Sequence, residues 1–402
     1  MCFVTVPHPL GMISKEEVNA KVDAAFDDIV KAATAWTPAK EKQDAQVKPY
    51  PAKRFKFSGT YADVNDMFQK RKWSLSLPIV PPTVDKVAAM LKGTKRNPAE
   101  VLWVVPPRQG MLTVELVAAL GVMAGAKPEH MPLLIATVEA MADPVAAWRG
   151  PTTTTAATVP VFFISGPIIE KLKLNPGTGT AGGENPVTNA LGYFVNLVGD
   201  VVGGSVPPNF DKSTHGSSAD LVAMVFTENA KENPWKTTYA EEAGFKPGDS
   251  IVTHFSAYLG NANIDHDSKT GQRLLTTLST GLLGSASCLA DYDATYAINN
   301  KVSFAFIVLC PEHAATIAKD FPDQRAARDF MRETAAMPYK FYSQETCVPG
   351  KDFGPYDENT FIPRFKKTES IKFFVSGGPG KQSQIWVPFP QVFKPVSKKI
   401  AE

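Results

Sequence analysis

Apolar runs of strand length alternate with helical amphipathic stretches through much of this chain, and that alternation most restricts how it can fold. Val101-Leu102-Trp103-Val104-Val105 is apolar throughout, and so is Val159 to Ile164. Runs of this kind suit strands covered on both faces. Thr83 to Leu91, Thr113 to Ala124, Pro132 to Met141 and Val187 to Val202 carry helical signals, Gly125 stopping the second and Pro186 opening the last. The pattern predicts an α/β fold with largely parallel sheets and flanking helices. Beyond residue 200, Val222–Phe226, Ser250–Tyr258, Val302–Leu309 and Ile371–Val375 read as strands. Gly271–Leu283, Pro311–Asp320 and Asp323–Ala335 read as helices. No repeat of fixed period is visible, although Val161–Gly166 and Phe373–Gly378 are both apolar strands entering a Ser-Gly turn.

The N-terminus reads as one strand, Phe3 to Val6, then Pro7-His8-Pro9-Leu10-Gly11-Met12 and a helix from Ser14 to Ala33. Val18, Val22, Phe26, Ile29 and Val30 share a face of that helix, and Ser14 with Glu17 forms a capping box. A single strand and helix cannot bury their apolar faces alone. The expectation is that they complete an α/β unit of a partner chain or of the remote C-terminal part of this one. The domains expected are a strand-helix remnant over 1–36, a linker over 37–58, an α/β domain over 59–210 and a second α/β or α+β domain over 211–402.

Lys+Arg (42) and Asp+Glu (40) nearly cancel and are dispersed, so no basic patch marks a nucleic-acid surface. No apolar run approaches the ~18 residues of a bilayer span, and no signal-peptide pattern opens the chain, which predicts a cytoplasmic protein without a membrane partner. Cys2, Cys288, Cys310 and Cys347 are too scattered for a disulfide framework or a zinc knuckle, and no metal site or cofactor is indicated. Cys310, ending an apolar run, reads as a buried strand-end thiol. Cys288, in a turn of small residues, is a candidate nucleophile.

The strongest local signal is Asn175-Pro176-Gly177-Thr178-Gly179-Thr180-Ala181-Gly182-Gly183-Glu184-Asn185-Pro186. Gly177, Gly179, Gly182 and Gly183 precede a helix capped by Asn185, a pattern that exposes backbone N–H groups to an anion. It is not the dinucleotide fingerprint. Ser376-Gly377-Gly378-Pro379-Gly380-Lys381 is a weaker candidate nest, with Lys381 as counter-charge. Polar groups at strand ends extend the binding set: Arg108, Thr153, Thr154 and Ser165. Arg108 suits a carboxylate or phosphate, or else pairs with Glu115. Glu115 and His130 are candidates for proton transfer. Asp265-His266-Asp267 and Thr227 to Trp235 are polar segments that read as exposed loop or cleft lining.

Several segments together resemble the UGSC-motif family of bacterial (seleno)proteins. They are Val6–Gly11, Pro106–Glu115, Val122–Pro132, Thr152–Thr155, Ser165–Ile168, the first glycine loop and Glu228–Trp235. The U-G-S-C or C-G-S-C tetrad itself is missing, so the chain resembles the C-terminal region of a split version. The resemblance implies a second chain carrying a Cys- or Sec-containing redox motif. It also implies thiol- or selenol-dependent, reductive chemistry on a small polar substrate, since the redox domain is similar to the selenoprotein subunit of glycine reductase. This chain would then be a subunit of a heteromeric, oxidoreductase-like enzyme that contributes the substrate or anion pocket. The alternatives are a non-catalytic scaffold for the redox partner, and a stand-alone lyase or hydrolase using Cys288 or a metal.

Overall fold

The computed structural model describes Val4, Val6 and residues 13–35, 52–183, 185–206, 214–258, 260–284, 304–341, 357–389 and 392–401. The chain divides into two compact units, residues 1–48 and 49–402. In the first, α1 (Lys15–Thr34) starts at the expected capping box: Ser14 Oγ accepts from Glu17 N, and the Glu17 carboxylate accepts from Ser14 N. Val22, Phe26, Ile29 and Val30 form an exposed stripe along it. Val4 and Val6 are not in a strand, and the rest of the expected opening strand lies outside the described residues.

The second unit begins with α2 (Tyr61–Lys70), α3 (Val84–Leu91), the hairpin β1 (Val101–Val105) and β2 (Gly110–Thr113), α4 (Val114–Met123) and α5 (Met131–Ala142). Here one expectation fails. Among the described residues β1 pairs only with β2, antiparallel, and Val101 and Val104 are exposed. An apolar run of five residues shows strand propensity without showing how many neighbours cover it.

Two courses of the same shape follow. The first is β3 (Val159–Ser165), α6 (Ile168–Lys171), α7 (Pro186–Asn196), β4 (Met224–Thr227), α8 (Tyr239–Glu242), β5 (Ile251–Ala257) and β6 (Asn261–Ile264). After α9 (Gly271–Gly284), the second is β7 (Ala305–Leu309), α10 (Pro311–Asp320), α11 (Gln324–Thr334), the small pair β8 (Ala336–Pro338) and β9 (Phe361–Pro363), then β10 (Ile371–Val375), β11 (Gln382–Trp386) and β12 (Val396–Lys399). In each course the first strand is central, the second lies parallel beside it, and the third lies antiparallel on its other side. The fourth strand crosses to the opposite sheet: β6 pairs with β11, and β12 pairs with β5. The resulting sheet orders are β12-β5-β3-β4 and β10-β7-β11-β6.

Each sheet therefore holds one parallel pair, and its other pairings are antiparallel, which corrects the expectation of largely parallel sheets. β3 and β5 are buried along their whole length because the second sheet covers one face and helices the other. That sandwich hides both faces as completely as a parallel sheet would. The boundary expected at 210/211 falls inside one sheet, with β3 before it and β4, β5 and β12 after it.

Between the sheets lies an aromatic core in which Phe163 packs at 4.4 Å from Phe306, 5.4 Å from Phe226 and 4.8 Å from Phe374. Burying five such rings, with Phe255, is worth roughly 2 kcal/mol each, against about 1 kcal/mol for a backbone bridge. Burial, more than strand pairing, joins the halves. Two isolated antiparallel bridges mark the pseudo-twofold relation, Glu228 to Ser376 and Ala257 to Pro388. Its hydrogen bonds repeat: Glu228 N donates to Ile164 O (2.9 Å), and Ser376 N donates to Leu309 O (3.0 Å). Glu228 thus corresponds to Ser376, and Ser165 to Cys310. The Ser-Gly likeness in the sequence had paired β3 with β10, whereas the topology pairs β3 with β7.

Candidate functional site

The ends of β4 and β10 meet at the bridge, and the two glycine loops stack over it. Gly377 N donates to Pro176 O (2.8 Å), and a Cβ on Gly378 would lie 2.2 Å from Thr178 Oγ1. Thr227 Oγ1 donates to Asn175 O (2.6 Å) and sits 2.8 Å from Thr180 Oγ1, while Ser376 Oγ donates to Thr227 O (2.7 Å). Asn229 Nδ2 reaches Gly377 O (3.1 Å). A hydroxyl-lined seam thus ties the first loop to the second.

Beneath the seam is a buried acid. Glu228 is 3% exposed, and its carboxyl shares a hydrogen bond with Ser165 Oγ. Its other oxygen accepts from Tyr239 N (2.7 Å), and Ser165 Oγ accepts from Ala240 N (3.2 Å). Burial pushes the Glu228 carboxyl up to about 7, outweighing the Ser165 and Tyr239 hydrogen bonds, with Glu241 and Glu242 adding to the rise. A carboxyl poised there can give or take a proton near neutrality.

The sequence-based candidates separate into distinct places. Ser165, Gly177, Gly179, Gly182, Gly183 and Asn185 gather at the C-terminal end of β3. Gly179 and Gly183 have φ of +74° and +55°, the left-handed conformation that glycine adopts without strain. Asn185 closes the loop, its Nδ2 reaching Asn175 O and Thr180 O at 3.4 Å each. Thr153 and Thr154 precede the other end of β3, about 20 Å away at 3.3 Å per residue. Thr153 donates to Arg149 O (2.7 Å) and, with Trp103 and Pro106, lines a cavity of about 520 Å³. Arg108 lies near that end, its side chain against Gly204 and its N–H on Gly203 O (2.8 Å). The expected binding set therefore does not form one pocket.

Glu115 does not meet Arg108. Its carboxylate accepts from Ala52 N (2.7 Å) and pairs with Arg54 (2.8 Å), so the tail of the expected linker is docked on α4. His130 is buried, accepts from Lys127 N through Nδ1 (3.0 Å), and is held below its usual range by burial. Both side chains are engaged in holding local structure. Cys288 lies outside the described residues. The second glycine nest is filled by the chain's own Glu312, whose carboxylate accepts from Gly380 N (2.6 Å) and Lys381 N (3.0 Å). Lys381 Nζ donates to His266 O (2.8 Å). Asp265 is occupied by Ser268 and Thr277, and among the described residues no group of three or more His, Cys, Asp or Glu side chains is placed to hold a metal.

The polar segment Thr227–Trp235 supplies Glu228 directly after β4. The usable signal is an acid immediately after a predicted strand. A cavity of about 980 Å³, lined by Phe245, Phe304, Lys367, Lys372 and Lys394, lies apart from the loop seam and shares Tyr239 and Glu242 with the acid's surroundings.

Fold and site together define a two-halved α/β protein with a buried acid–hydroxyl pair where the halves join. No family model matches the chain, and neither does any curated protein or solved structure. Among the described residues no helix is long and apolar enough to cross a membrane.

Proposed function

We propose that this chain holds a small polar or anionic substrate at the junction of the two glycine loops and that Glu228 transfers a proton there, with Ser165 as its hydrogen-bonding neighbour. The observation that carries this reading is that Glu228 has a partner in either protonation state. Ionised, it accepts from the Ser165 hydroxyl; neutral, it donates to Ser165 Oγ, while Tyr239 N–H serves the other oxygen in both cases. No heavy atom needs to move for the proton to change place. Glu228 takes over the acid–base role first given to Glu115 or His130.

In the same proposal the chain is a subunit of a heteromeric, oxidoreductase-like enzyme of the cytoplasm, and the thiol or selenol belongs to a second chain. The UGSC-motif resemblance without its tetrad supports this, and so does the exposed apolar stripe of α1, a surface suited to a partner.

The test follows the carboxyl of Glu228 by ¹³C NMR against pH, alongside thermal shifts with inorganic phosphate and acetate. The expected result is a midpoint near 7 that Glu228→Gln abolishes, with stabilisation of the wild type by at least one anion. A midpoint in the ordinary carboxylate range removes the acid–base role. Indifference to every anion removes the pocket and leaves the scaffold reading.

A further inference from the structure

We propose that the cavity of about 980 Å³ beside α8 is a second ligand site, and that it takes an organic acid with a long apolar body, of the class of a medium-chain carboxylate. Its volume lies within the range of small-molecule sites. Three kinds of group line it. Phe245 and Phe304 supply an apolar wall, and the exposed Val145 stands at the rim. Lys367, Lys372 and Lys394 supply positive charge, and Tyr239 and Ser370 supply hydroxyls. These residues come from α8, from β10 and the turn before it, and from the segments ahead of β7 and β12, so the fold gathers them from separated parts of the chain.

The hydroxyls are what point to a ligand. Ser370 is 3% exposed, and its Oγ is buried without a hydrogen-bond partner. Tyr239 is also buried, its ring packed on Phe306 and Phe374, and its hydroxyl forms no hydrogen bond among the described residues. Burial, with Glu242 close by, holds that hydroxyl above its usual range, so it stays protonated and can donate. A buried donor left unpaired costs free energy that an acceptor entering the cavity returns. The cavity adjoins the acid of the loop junction through this residue: the Tyr239 N–H serves Glu228, while the side chain lines the cavity.

The charges choose the sign of that acceptor. Of the two acids in the lining, Glu242 is held by Arg328 (2.6 Å) and Lys372 (3.3 Å), and Glu369 by Arg325 (2.7 Å). Asp143, next to the lining residue Pro144, is held by Lys398 (2.7 Å). Lys367 and Lys394 are exposed and form no ion pair among the described residues, so they are left to a ligand. A carboxylate meets these lysines and the hydroxyl donors, while its chain covers the phenylalanine wall. A neutral chain leaves the lysines unanswered, and a bare anion leaves the apolar wall in water.

The experiment is calorimetric titration of the full chain with decanoate, with decanol and inorganic phosphate as the two partial probes. Decanoate is expected to bind, decanol to bind at least about tenfold more weakly, and phosphate not to displace decanoate. The double variant Lys367→Ala/Lys394→Ala, changed at exposed positions only, should weaken decanoate about tenfold and leave decanol unchanged, the scale of two surface ion pairs. Tyr239→Phe keeps the ring and removes the hydroxyl, for an expected loss of about fivefold. Val145→Trp, at the rim, should block both chains. Absence of decanoate binding, equal affinity for decanol, or full affinity in the double-lysine variant would overturn the proposal. Binding that survives Val145→Trp would do so too, because the acid would then sit elsewhere on the chain. Val145 and the two lysines lie outside the loop seam, so this test and the Glu228 titration fail separately.

Discussion

The two halves of the second unit share one strand course and differ in what stands at its end. In the first half Ser165 is joined to a buried acid; in the second Cys310 stands at the matching place, its backbone N–H on the Ser383 hydroxyl. At the axis itself Glu228 faces Ser376, a charge-capable side chain against a small hydroxyl. The loops differ in the same way. Both have open space at glycines, Gly179 and Gly182 in the first and Gly377 and Gly380 in the second, but the backbone N–H groups of Gly380 and Lys381 are held by Glu312. A backbone frame used twice thus carries different side chains at matching places, because the frame constrains only where a strand ends, not which side chain follows it.

The most direct way to break this comparison is to truncate both axial residues. Glu228→Ala leaves a cavity and deprives Tyr239 N–H and Ser165 of their partner, so a loss of about 4 kcal/mol is expected. Ser376→Ala removes one neutral hydrogen bond to Thr227 O, about 1 kcal/mol. Urea unfolding of both variants measures the difference. Equal losses would mean that the acid is no more than a strut.

The acid also gives the first half a pH dependence. Its folded carboxyl is raised from 4.5 to about 7, so the folded state binds the proton more tightly than the unfolded chain. The stabilisation is fully present below about 4.5 and is lost as pH rises through about 7, for a total of about 3 kcal/mol. Urea midpoints from pH 4.5 to 8.5 should fall in the wild type and lose that component of the fall in Glu228→Gln. An unchanged slope in the variant would place the titration elsewhere.

Local structure was legible because it depends on neighbours in sequence. The expected helix 271–283 is Gly271–Gly284, the expected strand at 371–375 is Ile371–Val375, and the Ser14–Glu17 box is formed. The mixed sheets were not legible. β6 and β11 are short and partly polar, and they are strands through pairing, β11 with β7 and β6 with β11. The exchange of fourth strands leaves no trace in periodicity, since it alters partners and not patterns. In the site, the first glycine loop and Ser165 were found from turn chemistry. Glu228 was not, because burial beside a specific partner is a tertiary fact; Cys310 is the buried strand-end thiol that its apolar run implies.

The loop seam is the next place to perturb. Gly378 is pressed against Thr178, with backbone N 2.9 Å from where a Cβ would sit. Gly378→Ala should force the loops apart at a cost of about 2 kcal/mol, comparable to an overpacked contact. It should also reduce any anion-induced thermal shift, because both loops line the junction. Full retention of that shift would mean that the seam and the binding site are separate.

The smallest effects separate conformation from contact within the first loop. A Cβ on Gly179 or on Gly182 meets nothing within 4 Å, so neither residue is glycine for want of space. They differ in backbone: Gly179 has φ +74°, and Gly182 is outside the left-handed region. Gly179→Ala should therefore cost about 1 kcal/mol, the penalty of a left-handed alanine. Gly182→Ala should change stability by less than about 0.5 kcal/mol. If both are neutral in urea unfolding yet Gly182→Ala alone weakens the phosphate- or acetate-induced thermal shift, the space above Gly182 is where the anion approaches the backbone. The first loop would then hold its ligand on backbone groups of the kind that Glu312 covers in the second.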